Sequence, residues 1–214
     1  MAIKHTGLTQ AIWKKRRHLL WSAAAISGSA YWLKTHKMAQ AAPTARANPT
    51  TRTNPYGITG QMAPELKLDY WIDPKGKPTE FSVLANRGKW VFLKCFQDWC
   101  PGCHSSGFPT LQQFAAEFAD HPMVAIAGIQ TVFEGYRHNT IEDVRKLQLK
   151  YKLPIVMGHD PGDGSQHSRP LTMRKYRTGG TPWLILIAPD GQVIFNDFHV
   201  HTTNLIEYVR KEIG

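Results

Sequence analysis

A chain of 214 residues, 42% hydrophobic and 20% charged, accommodates one compact domain of about 150 residues with a further segment attached. Its net charge of +10 belongs almost wholly to the front: residues 1–57 hold nine of the 26 Lys and Arg and no Asp or Glu, leaving 17 basic against 16 acidic residues behind them. The folded part has no basic footprint for DNA or RNA, so no nucleic-acid partner is expected.

In chain order, the first predicted element is an export segment. Lys14-Lys15-Arg16-Arg17 stand directly before HLLWSAAAISGSAYWL, residues 18–33, a run without fixed charge. A positive flank followed by an apolar run directs a chain across a membrane with the positive end kept in the cytoplasm. The expected location is therefore the inner membrane, anchored through residues 18–33 and facing the periplasm or cell exterior, or secretion after signal cleavage. The sixteen residues of that run rise about 24 Å as a helix, short of the ~30 Å hydrocarbon core, so signal and short anchor both stand. Ala39-Gln40-Ala41 offers an A-x-A cleavage site, but Lys34, His36 and Lys37 intervene, which favours the anchor. Residues 1–39 are thus read as basic flank plus signal or anchor. Residues 40–61, rich in Pro, Thr and Ala with almost nothing to bury, are read as a disordered linker, and residues 62–214 as the folded domain.

From about Ala63 strands and helices alternate. KWVFLKCF (89–96) and MVAIAGIQTV (123–132) have the length and the β-branched, aromatic content of central strands. Between them, Leu111, Phe114, Ala115 and Phe118 recur at helical spacing in 105–119, with Pro109 expected to kink the helix. Thr140 and Asp143 open a second helix (141–151) by capping-box logic. PIVMGHD (154–160), a Gly- and Pro-rich loop and a short helix near 170–177 follow. WLILIA (183–188) and VIFNDFHV (193–200) read as a hairpin around Pro189-Asp190-Gly191, and Leu205, Ile206, Val209 and Ile213 share one face of a closing helix (202–213). The sum is an α/β domain with a mixed central sheet and helices on both faces.

The chemistry lies in WCPGCH, residues 99–104. Cys100-Pro101-Gly102-Cys103-His104 fits both a c-type haem attachment site and a thioredoxin-like redox pair. Position favours the redox pair, because Cys100 falls between a strong strand and the start of a long helix. There the unpaired N–H groups and the helix dipole lower a thiol's pKa from ~8.5 into the ~3.5 to 7.5 range, and the thiolate is the attacking species. Two intervening residues let the outer thiol attack a disulfide and the inner one resolve the mixed disulfide.

KWVFLKCFQDWCPGC resembles the strand and active-site turn of thioredoxin-like proteins, in which a Trp precedes the first Cys. GGTPWLILIAPDGQVIF (179–195) resembles their second signature, a Thr-Pro with a cis bond leading into a strand and a Gly-turn hairpin. Residues 62–93 resemble the entry segment of the exported TlpA and ResA-like branch, which implies an N-terminal hairpin extension. The resemblance covers roughly residues 62–213 and implies a thioredoxin-like fold and a thiol-disulfide oxidoreductase. It makes Cys100 the nucleophile, Cys103 the resolving thiol, and Thr181-Pro182 the cis bond that positions a bound chain, by strand addition. A trans Thr-Pro merely beginning a strand is the plainer alternative. Trp99, Pro101, Gly102, His104 and Lys94 are read as supporting the site. No cofactor is needed, since the thiols are the redox centre. The implied partners are thiols and disulfides of exported proteins and a membrane redox donor or acceptor, with reduction the favoured direction.

The sequence also departs from that family. Lys94 stands six residues before the first Cys, where relatives often carry Asp or Asn. A buried acid there accepts a proton from the resolving thiol, and a charged Lys cannot. Near the pair it would stabilise thiolate and make the disulfide more oxidising; alternatively it snorkels out past the strand end. Pro101 suits a first helical turn, and the Pro-Gly dipeptide is Gly-Pro in thioredoxins. His104 is either a thiolate-stabilising cation or an exposed helix residue. Cys95 is expected in the core, with intermolecular pairing as its alternative. His159, Asp160, Asp163 and His167 are expected to be turn formers rather than metal ligands, and His199 and His201 carry no separate role. The rival function is a copper chaperone using Cys100, Cys103 and a His, although the copper chaperones of this superfamily space their thiols by three residues. A peroxidase is a third option that lacks its Pro- and Thr-rich approach in FQDWC.

Overall fold

Runs of β-branched and aromatic residues become the middle of a sheet, and the helices are laid over it where their apolar stripes meet it. The computed structural model describes residues 55–163 and 168–214. The export segment, most of the linker and His167 lie outside the described residues. Six strands, β1 (Tyr70–Ile72), β2 (Trp90–Phe96), β3 (Val124–Thr131), β4 (Val156–Asp160), β5 (Trp183–Ile187) and β6 (Val193–Asp197), form one sheet in the order β1-β4-β3-β2-β5-β6. β2, β3 and β4 are parallel, whereas β1, β5 and β6 each run antiparallel to their neighbours. All seven residues of β2 are buried, as both faces of a central strand must be.

The crossovers β2 to β3 and β3 to β4 run the same way across the sheet, so their helices α1 (Phe108–Phe118) and α2 (Ile141–Lys150) share a face, joined there by α4 (Thr202–Ile213). Phe92, Phe96, Phe108, Leu111, Phe114, Leu147, Leu205 and Val209 form that core, with Phe92 stacked on Phe114 at 4.1 Å. On the opposite face Val91, Leu93, Cys95, Trp183 and Tyr176 pack under α3 (Leu171–Tyr176) and the segment holding Ile58, Ala63 and Leu66. Cys95 is fully buried there, the core position expected of it.

Four local signals shape the framework. Thr140 and Asp143 close the capping box of α2, and Gly191, at φ 87°, closes the β5–β6 turn by donating to the Ala188 carbonyl. The N-terminal hairpin is short: β1 turns at Asp73–Lys77, and its returning arm is held by Thr79 N–H to Trp71 O and a bridge between Ile72 and Pro78. Pro109, where a kink was expected, stands at the second position of α1. Cys103–Gly107 form a π turn directly ahead of it, with Phe108 N–H donating to Cys103 O. The wider turn accommodates a proline ring that would collide with the carbonyl four residues back in α geometry.

Candidate active site

β2 delivers the chain to the carboxyl end of the parallel strands, where open α/β sheets place their ligands. Gln97, Asp98 and Trp99 make the turn, and the helical run then begins at Pro101. A proline in that first turn forfeits no bond, since its N–H would have had no partner. Cys103 and His104 N–H both donate to the Cys100 carbonyl, at 3.0 and 3.3 Å. Cys103 N–H also points at Cys100 Sγ, 3.3 Å away, so the outer sulfur faces the helix N-terminal dipole.

The thiols differ in environment. Cys100 keeps 8% of its surface and Cys103 none, and both are free thiols, as is Cys95. Burial, with the hydrogen bond to Cys100 adding to it, pushes the Cys103 thiol up to about 12. The outer residue thus keeps a small exposed edge and the inner one has none.

The turn Thr178–Pro182 forms the wall opposite. The Thr181–Pro182 bond is cis, and the Thr181 carbonyl accepts from Cys100 Sγ at 3.5 Å. Two glycines let the helix approach this turn. A Cβ on Gly107 would lie 2.8 Å from Pro182 Cβ, and one on Gly102 would lie 3.2 Å from Pro182 Cδ. Beside the turn runs a cleft of about 270 Å³ lined by Tyr56, Phe133, Tyr136, Arg169, Met173 and Thr178.

Lys94 does not snorkel out. It is 3% exposed, because a residue in the middle of a two-sided central strand has no route to water. The period of two puts it on the face of Phe92 and Phe96, beneath the first turn of the active-site helix, with its Cε 3.6 Å from where a Gly107 Cβ would sit. Burial lowers its ammonium to about 8, against a smaller opposing pull from Cys103 and Cys95.

His104 is not an exposed helix residue. Its Nε2 meets the Asp98 carbonyl, a pure acceptor, and so carries a proton, while its Nδ1 is hydrogen-bonded to the Tyr151 hydroxyl at 2.5 Å. Both nitrogens are spent on holding the turn to the loop after α2, and Tyr151 is itself stacked on Phe108 at 4.1 Å.

Trp99 is 43% exposed. Its Nε1 donates to Gln97 Oε1 at 3.1 Å, and it lies so close over Gly135 that a Cβ there would be 2.5 Å from Nε1. Gly135 also takes φ 62°, which suits glycine alone at such an approach. Gln97 Oε1 further accepts from Asn139 Nδ2, and Asn139 Oδ1 accepts from Asp98 N–H at 2.8 Å and from Gln130 Nε2 at 3.4 Å. This buried chain ends at His159, whose Nδ1 meets Gln130 Oε1 at 2.7 Å. Sequence reading missed Gln97, Asn139, Gln130, Gly107 and Tyr151, because none has a local motif.

Of the His and Asp expected as turn formers, His159 and Asp160 are instead buried residues at the end of β4. Asp160 accepts from Leu171 N–H, Thr172 N–H and the Thr172 hydroxyl, capping α3 from a distant strand. Among the described residues no group of three or more His, Cys, Asp or Glu is placed to hold a metal ion, and no helix is long and apolar enough to cross a membrane.

The sequence profile of the AhpC/TSA family matches residues 59–196. A thioredoxin-like superfamily protein of known structure is 32% identical, covering 72% of this chain and 96% of that one with a TM-score of 0.63. A thiol-disulfide isomerase from Corynebacterium glutamicum is 30% identical, covering 70% and 95%, with a TM-score of 0.59. The thioredoxin domain of a thiol-disulfide oxidoreductase from Bacteroides vulgatus, 23% identical over 73% of this chain and 99% of its own, shares the fold with a TM-score of 0.54. No curated protein matches in sequence. With its paired thiols at a helix N-terminus, the chain is a thiol-disulfide oxidoreductase and belongs to the AhpC/TSA family within the thioredoxin-like superfamily.

Proposed function

We propose that the protein works outside the cytoplasm, held at the membrane through residues 18–33, and reduces disulfides of exported proteins in the manner of the TlpA and ResA-like branch. One observation carries the reading: Cys100, with a small exposed edge, and the fully buried Cys103 lie together beside the Thr181–Pro182 turn. Cys100 thiolate attacks a substrate disulfide and releases one substrate thiolate, and Cys103 then displaces the second substrate sulfur from Cys100. The chain is left as the Cys100–Cys103 disulfide, which a membrane donor reduces. The backbone of the Thr181 turn and the adjacent cleft offer an extended peptide its contacts.

Reduction is the direction favoured by the resemblance to that branch. Equilibration of the full chain with glutathione buffers, followed by alkylation and mass counting, measures the potential of the pair. A value near ~−270 mV is expected, and one near ~−120 mV would make the protein a disulfide donor. Copper bound at one equivalent per chain in the same preparation would favour the metallochaperone instead. That reading has to do without His104, whose nitrogens are both engaged.

A further inference from the structure

A lysine buried under a redox dithiol without a carboxylate partner calls for a role. Lys94 and Cys103 are 3% and 0% exposed, and the ion pairs among the described residues are Lys146–Asp143 and Arg210–Glu117, both elsewhere. The cross-strand partners of Lys94 are Gly128 on β3 and Leu184 on β5, neither of them titratable. From the active-site helix the group whose charge reaches it is Cys103, and from its own strand it is Cys95, which points to the opposite face. Gly107, in the π turn that begins with Cys103, packs against both the Lys94 stem and Pro182.

We propose that the Lys94 amine is the proton acceptor for Cys103 when Cys103 resolves the mixed disulfide. The inference deepens the redox reading above and rests on it. Cys103 Sγ attacks Cys100 Sγ and gives its proton to the neutral Lys94 Nζ. The bond between Cys100 and the substrate sulfur breaks, and that sulfur leaves as a thiolate with the electron pair. Cys100 and Cys103 are oxidised to the disulfide, the substrate sulfur is reduced, and Lys94 returns its proton to the departing thiolate or to water. A charged lysine could not accept it, but an ammonium stripped of water without a counter-ion sheds its proton readily. With its ammonium lowered to about 8, roughly one chain in ten holds the free amine at pH 7 and roughly nine in ten at pH 9.

The reaction of the reduced full chain with dithiobis(nitrobenzoate) separates the steps. Cys100 releases one coloured thiolate as the mixed disulfide forms, and Cys103 releases the second as it resolves that disulfide. In the parent chain the second release is expected to quicken about tenfold from pH 7 to pH 9 and then level off. Lys94→Met and Lys94→Arg both lose the plateau, rising with hydroxide throughout and slower by about tenfold at pH 8. Lys94→His, which restores an acceptor, levels at a lower pH, near ~6.5 to 7. Cys95→Ala keeps the parent profile. An unchanged first release shows that each variant has folded, and Lys94→His supplies the comparison if Lys94→Met does not fold. A parent chain without a plateau, a plateau retained in Lys94→Met, a Lys94→Arg as fast as the parent, or loss of the plateau in Cys95→Ala each overturns the assignment. Release of only one thiolate by the parent chain defeats the redox reading itself, a result distinct from all of these.

Discussion

The sheet carries two buried charges of opposite sign at its functional end, and they are treated differently. Asp160 closes β4 at 1% exposure, and its two oxygens take hydrogen bonds from Gly162, Leu171 and Thr172. Lys94, on β2 at 3%, has no carboxylate within ion-pair reach. A buried charge whose bonds are all made anchors structure, and removing it leaves its partners stranded. A buried charge left unpartnered costs stability and persists where its chemistry is needed. Asp160 fixes the turn before α3 and hence the approach to Thr178–Pro182, whereas Lys94 equips the dithiol.

Substitution on each side sharpens the contrast, and the largest effect is expected at Asp160. Pro170 precedes α3 and has no side chain to cap it, so Asp160→Ala strands the N–H groups of Leu171 and Thr172. Charge-assisted hydrogen bonds contribute about 1.5–3 kcal/mol each, and the loss should reach about 3 kcal/mol or more in urea unfolding. A cost below about 1 kcal/mol would show that α3 is held by packing alone.

Lys94→Met should act with the opposite sign. The folded chain holds Lys94 at about 8, below its ordinary 10.5, so below pH 8 folding carries the full cost of a buried ammonium. At ~1.4 kcal/mol for each tenfold change in proton affinity, that cost is a little over ~3 kcal/mol. Between pH 8 and 10.5 the unfolded chain binds the extra proton, so the parent gains stability as pH rises through that window. The variant should therefore be the more stable of the two at pH 7, by up to about 3 kcal/mol, with the difference vanishing towards pH 10.5. Unfolding series at pH 7 and pH 10 decide it, and a variant less stable than the parent at pH 7 would mean that Lys94 has a partner it is costly to lose.

The sequence made some of this legible and hid the rest for physical reasons. The strands around 90–96 and 124–131, the capping box at Thr140 and the hairpin at Gly191 are local signals and stand where their residues put them. The burial of Lys94 was only half legible. KWVFLKCF is apolar on both faces, but a long side chain near the strand end left snorkelling open, and the neighbouring strands on both sides close that route. The cap of α3 by Asp160 and the chain from Trp99 to His159 were not legible, because each joins residues that only the sheet order brings together. The π turn lies between. Pro109 announces a disturbance, but whether the helix kinks or widens depends on what it packs against, here Pro182 and Lys94.

The smallest expected effect separates the two glycines that face Pro182. At Gly107 an added methyl would come within 2.8 Å of the Pro182 ring and 3.6 Å of Lys94 Cε. Ring and backbone must therefore shift, and overpacking of this kind costs about 1–3 kcal/mol. At Gly102 the closest atoms are Pro182 Cδ at 3.2 Å and Cys100 Sγ at 4.0 Å, so a displacement of a few tenths of an ångström suffices. Its φ of −63° is ordinary helix, and alanine there gains up to about 1 kcal/mol of helix propensity. Gly102→Ala should thus be close to neutral in stability yet slow the attack of Cys100 on a protein disulfide by a few fold, because the methyl narrows the passage between helix and turn. Gly107→Ala should lose both stability and exchange. Equal losses at the two positions would mean that Pro182 is clamped from both sides, and that the space above Cys100 is set by the turn rather than by the helix.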